Sequence, residues 1–281
     1  MALLIADSGS TKCDWVFKND NQLTKFSTIG LNPLLSSEDE IQSVLNACEE
    51  IQSIKNLPIN IYFYGAACSS EQLKGIVKSA LAKEFTMANI QVDHDLKAAV
   101  FATCGVDQGF TAILGTGSNL CFFNGEQIIQ KIPSLGYVLG DEGGGVYLGK
   151  KLVQAYFYET LPRHLAQEFE NDYKLNLDEL IQNVYSEIRP NAYLASYVPF
   201  LVKHKTDSYV RKLVYSAFAS FLSIHLWSFD TFRDYPVHFI GSIAYYFQDL
   251  LQEVAINHRF TVGKIIKKPM DNLLEFHLMN S

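Results

Sequence analysis

The chain has 281 residues and a mass of 31.7 kDa, which suits two domains or one large α/β domain better than one small core. Its 48% hydrophobic and 19% charged residues exclude intrinsic disorder, collagen and a coiled coil. With 23 Lys and Arg against 30 Asp and Glu, the net charge is −7, so we expect neither nucleic acid nor an anionic membrane as a partner. A small anionic ligand is still compatible, because backbone amides bind anions without any net charge.

The five cysteines are isolated along the chain, and no two stand at C-x-x-C spacing. This pattern predicts neither a disulfide framework nor a zinc site, and it is typical of reduced thiols in a cytoplasmic protein. The first residues run into Asp7 without a basic region, which predicts a strand and no signal peptide. The 17 uncharged residues 213–229 include four serines and are fewer than the roughly 20 that span a bilayer, so they predict a buried core helix.

Strand and helix signals alternate through the first third of the chain. Apolar runs predict strands at residues 2–6, 13–18, 23–27, 59–64 and 89–92. Serine caps predict helices at residues 36–53 and 69–85, and a third helix is predicted at residues 96–103 after Asp93-His94-Asp95. The alternation is typical of an α/β domain.

The opening pattern returns about 108 residues later, with strands predicted at residues 111–114, 120–123 and 126–131. In both copies an apolar strand runs into a glycine turn, and a cysteine follows three residues after the serine of Gly-Ser. Such a duplication predicts two similar domains that face each other, with the glycine turns lining the gap. We expect one domain over residues 1–106, with a C-terminal helix at 270–281 packing back on it, and the other over residues 107–269.

The rest of the second domain is predicted to be mainly helical. Helices are expected at residues 152–157, 177–185, 192–202 and 209–227, and strands at residues 237–240 and 264–266. Beyond this domain, a short helix is expected at residues 270–277 of the C-terminal segment.

The first glycine turn follows the first strand and contains Gly9, Ser10, Thr11 and Lys12. Small residues let the backbone approach a ligand, and their amides and hydroxyls can donate to phosphate. Asp7 precedes the turn, and a carboxylate beside phosphate implies Mg²⁺ between them, reached through water. The alternative is a hairpin with an Asx-type turn.

The second turn holds Thr116, Gly117 and Asn119 after the second copy of the strand. Its pairing with the first turn favours phosphate binding, and no dinucleotide fingerprint is formed because a strand follows it. A later loop rich in glycine, residues 140–145, contains Asp141, which is either a sugar contact or a helix cap. Gly241 and Ser242 follow a late strand and are either a turn or a surface for a nucleotide.

Asp95 follows a strand and opens a helix, together with Asp93 and His94. A carboxylate at a strand end can take a proton from a substrate hydroxyl, which makes Asp95 a candidate general base. The alternatives are a helix N-cap at Asp95 or, less favoured, a metal pair of Asp93 and Asp95 with His94.

The order of these motifs resembles the actin, Hsp70 and hexokinase ATPase superfamily, and more closely the N-acetylglucosamine kinase branch of the BadF/BadG/BcrA/BcrD ATPase family. The resemblance covers essentially the whole chain, and Gly-Thr-Gly-Ser-Asn followed about 20 residues on by Gly-Asp-Glu-Gly is specific to that branch. It implies two duplicated ribonuclease-H-like domains, each a mixed five-stranded sheet flanked by helices, closing over ATP and a sugar. A homodimer is a family-level expectation.

The resemblance also implies roles for individual residues. Gly9, Ser10 and Thr11 would hold phosphate with Asp7 near Mg²⁺, and Asp95 would deprotonate the sugar 6-hydroxyl. Thr116 and Gly117 would hold the phosphates from the other side, Gly241 and Ser242 would bind adenosine, and Asn32, Asn119, Gly136 and Asp141 would lie at the sugar.

These observations predict an ATP-dependent kinase for an amino sugar, with N-acetylglucosamine favoured. Residues 133–136 and 65–67 depart from the animal enzymes near the sugar, so glucosamine and N-acetylmuramate stay open as acceptors. The alternatives are an ATPase that energises a partner protein and a sugar or nucleotide sensor without turnover.

Overall fold

The computed structural model describes residues 2–9, 12–20, 22–185 and 189–280. The chain forms two compact units. Unit 1 comprises Met1–Gly105 and Pro269–Ser281, and unit 2 comprises Val106–Lys268.

Unit 1 is built on a five-stranded sheet. Its strands are β1 (Ala2–Ser8), β2 (Lys12–Asn19), β3 (Gln22–Ile29), β4 (Ile59–Gly65) and β5 (Asn89–His94). The order is β3-β2-β1-β4-β5, in which β1, β2 and β3 form an antiparallel meander and β1, β4 and β5 run parallel. All five predicted strands are present, and each is slightly longer than its apolar run.

Four helices of unit 1 follow these strands in the chain. They are α1 (Glu38–Ala47), α2 (Glu49–Ile54), α3 (Glu71–Glu84) and α4 (Asp95–Thr103). The single helix predicted at residues 36–53 is wrong, because the backbone is extended at Cys48 and divides it in two. Helix α1 begins with a capping box, in which Ser37 Oγ accepts from the Glu40 N–H and the Glu40 carboxylate accepts from the Ser37 N–H.

Unit 2 repeats the sheet of unit 1. Its strands are β6 (Gly109–Leu114), β7 (Ser118–Phe123), β8 (Ile128–Ile129), β9 (Val237–Ile240) and β10 (Val262–Ile266). The order β8-β7-β6-β9-β10 again joins an antiparallel meander to parallel strands. The predicted duplication into two mixed five-stranded sheets is therefore confirmed, although β8 is shorter than the six residues predicted.

Helices supply most of the rest of unit 2. They are α5 (Gly136–Leu139), α6 (Gly145–Phe157), α7 (Arg163–Tyr173), α8 (Leu177–Tyr185), α9 (Pro190–Ala195), α10 (Val198–Lys203), α11 (Ser208–His225), α12 (Ser242–Tyr246) and α13 (Gln248–His258). Helices α7 and α13 were not predicted, and the predicted helix at residues 192–202 is two helices. Helix α11 is the predicted core helix, with Val214, Phe218 and Phe221 fully buried. Within the described ranges, no helix is long and apolar enough to cross a membrane.

The last helix, α14 (Met270–Met279), belongs to unit 1. Phe276 stacks on Phe101 of α4 with ring centroids 4.2 Å apart, and His277 Nε2 lies 2.9 Å from the Tyr64 hydroxyl. Burial lowers the pKa of His277 to about 4. Because successive strand residues face opposite sides, Tyr64 contacts α14 while its neighbour Phe63 packs in the core that includes α1 and α3.

Candidate functional site

The parallel strands of unit 1 bring two predicted site carboxylates to one edge of its sheet. Strands β1, β4 and β5 end at Ser8, Gly65 and His94, and Asp95 follows immediately as the first residue of α4. Because β4 lies between β1 and β5, the ends of these two strands are about 10 Å apart. Asp7, Gly9 and Asp95 are thus neighbours on this edge.

A row of polar side chains crosses the same sheet just before the edge. Asp7 pairs with Asp14 on β2 and with Tyr64 on β4, and Tyr64 pairs with Asp93 on β5. Two of the row's carboxylates are neutralised locally: Asp14 by Lys12 at 2.7 Å, and Asp93 by Lys97 at 2.7 Å and Lys74 at 3.4 Å.

The described residues of the first turn are Gly9 and Lys12. The Gly9 N–H donates to the Lys12 carbonyl at 3.0 Å, which closes the hairpin between β1 and β2. Gly9 and Lys12 are exposed, whereas Ser8 is buried and its hydroxyl accepts from the Leu31 N–H at 2.9 Å. Ser10 and Thr11, which complete the predicted phosphate turn, lie outside the described residues.

Asn32 is buried and follows Leu31, whose N–H donates to the Ser8 hydroxyl. Its side-chain Oδ1 accepts from the Leu34 N–H at 2.9 Å, so the residue forms an Asx turn. The predicted sugar contact therefore also shapes the loop in which it stands.

Helix α4 is capped by the residue before Asp95. His94 Nδ1 accepts from the Leu96 N–H at 3.2 Å, so the alternative of an N-cap at Asp95 is wrong. Asp95 stands in the first turn, where the positive end of the helix dipole stabilises a carboxylate. Its side chain is 30% exposed, yet Oδ1 is shielded from solvent. The two lysines on Asp93 argue against a metal pair of Asp93 with Asp95.

Cys68 lies under this edge and was not identified from the sequence as a site residue. Burial, with smaller contributions from the Asp95 and Asp93 carboxylates, raises its pKa to about 12. A Cβ on Gly65 would lie 2.8 Å from the Cys68 sulfur, so β4 must end in glycine for the thiol to fit. The thiol is therefore protonated at neutral pH and lines the site as an uncharged group.

The second turn, in unit 2, is held by backbone contacts. The Gly145 and Val146 N–H groups at the start of α6 donate to the carbonyls of Gly115 and Thr116, at 2.8 and 2.9 Å. A Cβ on Gly144 would lie 2.7 Å from the Gly117 carbonyl carbon, so no side chain fits there. The Thr116 side chain is exposed.

Asp141 supports the same turn from its side. Its carboxylate accepts from the Ser118 N–H at 3.1 Å, and a Cβ on Gly117 would lie 2.8 Å from Asp141 Oδ2. Burial raises the pKa of Asp141, while the Ser118 bond acts in the opposite direction. The carboxylate that was predicted to contact sugar therefore also holds the second turn in place.

Gly241 joins this assembly from the end of β9. Its φ of 122° lies in the region that favours glycine, and a Cβ would come within 2.3 Å of the Leu114 carbonyl oxygen. Ser242 begins α12. The second turn, the loop at residues 140–145 and Gly241 are thus brought together inside unit 2.

Two other predicted site residues of unit 2 stand apart from these contacts. Asn119 Oδ1 accepts from the Leu120 N–H at 2.9 Å and from Gln130 Nε2 at 2.7 Å. Gly136 begins the short α5 with a φ of 71°. Leu135, Val138 and Leu139 around it are exposed.

The donor groups fit Mg²⁺ carried by a nucleotide better than a metal held by protein alone. Among the described residues, no three His, Cys, Asp or Glu side chains lie close enough together to hold a metal ion. Magnesium bound to phosphates needs only one or two carboxylates, because phosphate oxygens and water complete its coordination. Asp7, half-buried and two residues before the exposed Gly9, is a donor of that kind.

Solved structures resemble the chain over its full length. One is called a "putative N-acetylglucosamine kinase" from Porphyromonas gingivalis, with 34% identity, a TM-score of 0.91 and 99% of each chain covered. A second with that description, from Chromobacterium violaceum, has 17% identity, a TM-score of 0.74 and 98% of each chain covered. A ROK hexokinase from Thermus thermophilus shares the fold at 13% identity and a TM-score of 0.50, with 99% and 98% covered.

No protein-family model and no curated protein matches the chain. The narrower assignment to the BadF/BadG/BcrA/BcrD family therefore stays a prediction.

Proposed function

We propose that this chain, which belongs to the actin, Hsp70 and hexokinase ATPase superfamily, is an ATP-dependent kinase for an amino sugar. The reaction is transfer of the γ-phosphoryl group to the sugar 6-hydroxyl, with N-acetylglucosamine as the acceptor. The observation that carries the proposal is Asp95, a partly exposed carboxylate at a helix N-terminus, on the same sheet edge as the exposed Gly9. The 34% identity to a protein described as a kinase for this sugar supports it.

Asp95 is the general base of the proposed reaction. It takes the proton from the hydroxyl as the oxygen attacks the phosphorus, which is the role of a catalytic aspartate in phosphoryl transfer. Of the other carboxylates at this edge, Asp14 and Asp93 are already paired with lysines, and Asp7 is assigned to Mg²⁺. That leaves Asp95 as the carboxylate suited to accept a proton.

Phosphate binding is assigned to the two glycine turns. In unit 1, the hydroxyls of Ser10 and Thr11 and the ammonium of Lys12 are the donors, and Gly9, whose N–H is bonded to the Lys12 carbonyl, leaves room for the phosphate. Asp7 would hold Mg²⁺, whose charge offsets that of the phosphates. In unit 2, Thr116 and Gly117 are the donors, and Gly241 and Ser242 receive the adenosine.

Unit 2 contributes a rigid turn to the proposed nucleotide site. Its turn is fixed by amide-to-carbonyl bonds from α6 and by the Asp141 carboxylate, so its amides do not have to be ordered when the nucleotide binds. Preorganised donors avoid that cost at the moment of reaction. Asn32, Asn119, Gly136 and Asp141 are proposed to contact the sugar.

The test is ADP release with ATP and Mg²⁺ against a panel of N-acetylglucosamine, glucosamine, N-acetylmuramate, N-acetylmannosamine and glucose. We expect N-acetylglucosamine to raise the rate far above the background without sugar. A high background that no sugar changes would favour an ATPase that energises a partner. An absence of turnover with bound nucleotide would favour a sensor.

A further inference from the structure

Ser8 is a polar residue that lies inside the apolar core of unit 1. It is the last residue of β1, between Asp7 and Gly9, and only 1% of its surface is exposed. Because successive residues of a strand face opposite sides of the sheet, Ser8 faces away from the Asp7 side chain. It lies on the side of Leu4 and Ala6, which belong to the apolar core of this unit. A buried hydroxyl in such surroundings is unfavourable unless it is hydrogen-bonded.

The Ser8 hydroxyl is bonded to a segment that follows 23 residues later in the chain. Ser8 Oγ accepts from the Leu31 N–H at 2.9 Å, and the bond is buried. Leu31 directly precedes Asn32, which is proposed to contact the sugar. The bond therefore joins the strand that leads into the first turn to the segment that carries a sugar contact.

Three further bonds of this segment are local. Asn32 Oδ1 accepts from the Leu34 N–H at 2.9 Å. The Asn32 carbonyl accepts from the N–H groups of Leu35 and Ser36, each at 2.9 Å. These bonds shape the segment without joining it to the sheet, whereas the bond to Ser8 does join it.

The end of β1 itself is held by backbone bonds. The Gly9 N–H donates to the Lys12 carbonyl at 3.0 Å, and the Ala66 N–H donates to the Ser8 carbonyl at 2.8 Å. The Ser8 hydroxyl is 3.5 Å from the Gly9 carbonyl oxygen, which is long for a hydrogen bond between oxygens. Removal of the hydroxyl should therefore disturb the segment at Leu31 and leave the end of β1 in place.

We propose that Ser8 is a positioning residue for the sugar site: its hydroxyl holds the peptide group before Leu31 and so keeps Asn32 near the end of β1. The proposal rests on the proposed function. Without the hydroxyl, the buried Leu31 N–H has no acceptor, so the segment is favoured to move toward water. Sugar binding must then restore the segment, which lowers the apparent affinity in proportion to the fraction of molecules that keep the original arrangement.

Two substitutions at this position test the role of the hydroxyl. Ser8→Ala removes it and keeps the Cβ. We expect the KM for N-acetylglucosamine to rise about 5- to 50-fold, while kcat and the KM for ATP change less than about 3-fold. Ser8→Thr restores a hydroxyl at a strand position that suits a β-branched residue, and it should bring the sugar KM back toward that of the wild type.

Thr103→Val is the matched control for the loss of a buried hydroxyl. Thr103 is also 1% exposed, and its hydroxyl donates to the Ala99 carbonyl at 2.6 Å near the end of α4. This variant should lose stability but keep the KM of both substrates. A wild-type sugar KM in Ser8→Ala would overturn the proposal. An equal rise of the sugar KM in Thr103→Val, or of the KM for ATP in Ser8→Ala, would overturn it as well.

A measurement without turnover distinguishes this proposal from the proposed function. Amide hydrogen exchange followed by NMR should show the Leu31 N–H protected in the wild type and exchanging much faster in Ser8→Ala. The N–H of Ile61, a fully buried residue of β4, should change only as far as global stability does. An unprotected Leu31 N–H in the wild type would overturn the proposed anchoring.

Calorimetry of the wild type with N-acetylglucosamine completes the test. If Leu31 exchanges as expected but no sugar binds, the hydrogen bond stands, and the sugar role of Ser8 fails together with the proposed function. If the wild type phosphorylates the sugar and Ser8→Ala does so with the same sugar KM, the proposed function stands and the role of Ser8 alone is overturned.

Discussion

The two units share a strand order but use the end of their first strand differently. In unit 1, among the residues that the structure describes, a Cβ on Gly9 would meet only the Lys12 carbonyl oxygen at 3.7 Å, an ordinary contact. In unit 2 the turn is packed, since a Cβ on Gly117 would lie 2.8 Å from Asp141. The same strand order thus leaves space at Gly9 in unit 1 and packs the backbone at Gly117 in unit 2.

Glycines at equivalent positions of the two units therefore meet different structural requirements. Gly9 leaves space at a surface, whereas Gly117, Gly144 and Gly241 allow backbone segments to touch. Substitutions at the edge of unit 1 should therefore change turnover more than stability. Substitutions at the unit 2 glycines should change stability, and nucleotide binding through it.

The largest expected effect is on turnover, at unit 1. Asp95→Asn removes the proton acceptor and should lower kcat by about 10²- to 10⁴-fold, because general base catalysis contributes that much. Nucleotide affinity and melting temperature should be kept. Asp39→Asn, at an exposed carboxylate in α1, is the matched control and should have wild-type kcat. A kcat near the wild-type value in Asp95→Asn would remove this residue from the mechanism.

The next largest effect is on stability, and it should differ between the glycines of the two units. Gly241→Ala should destabilise unit 2 by about 2–4 kcal/mol, from a positive φ and the contact with Leu114. Gly9→Ala should cost less than about 1 kcal/mol. Denaturant unfolding can follow each unit by its own tryptophan, since Trp15 lies in unit 1 and Trp227 in unit 2. Equal costs at the two glycines would contradict the comparison.

A smaller effect is expected from pH, and here the two units should behave alike. Burial lowers the pKa of both His277 in unit 1 and His238 in unit 2 to about 4 from 6.5. Between these values the unfolded chain binds more protons than the folded one, so stability should fall as pH drops from about 6.5 to 4.

Each histidine should contribute about 2–3 kcal/mol to that fall, and the contribution vanishes above pH 6.5. His277→Gln should flatten the pH dependence of unit 1 only, and His238→Gln that of unit 2 only. A slope that survives each substitution would show that these histidines are not its source.

The smallest effect tests a feature of unit 1 alone. Ser37→Ala removes the capping box of α1 and should cost about 1 kcal/mol. Ser53→Ala, at an exposed serine near the end of α2, is the control and should be nearly neutral. Kinetic constants should not change in either variant.

Much of the fold could be predicted from the sequence because its signals are local. The repeat of strand, glycine turn and strand indicated the duplicated sheets, and β9 has the predicted bounds. The break at Cys48 could not be predicted, because Ser37–Ile54 carries helix signals throughout and the break is an extended backbone at one residue. Helix α7, with only Leu165 and Phe169 buried, has a weak apolar pattern.

The sequence indicates which types of residue form the candidate site, but it does not indicate which residues these side chains and backbone segments contact. The glycine content of the loop at residues 140–145 indicated close backbone approach, yet the segment approached is the turn at Gly117, more than 20 residues earlier. The cap at His94 rather than Asp95 depends on which side chain turns back toward Leu96. Distances of this kind follow from tertiary packing, which no local pattern encodes.

The most direct test of the central claim is the identity of the phosphorylated product. Wild-type protein, ATP, Mg²⁺ and N-acetylglucosamine should give a new phosphorus-31 NMR signal correlated with the two protons on carbon 6, and Asp95→Asn should give almost none in the same time. Inorganic phosphate as the only new signal, or a correlation to another carbon of the sugar, would contradict the account.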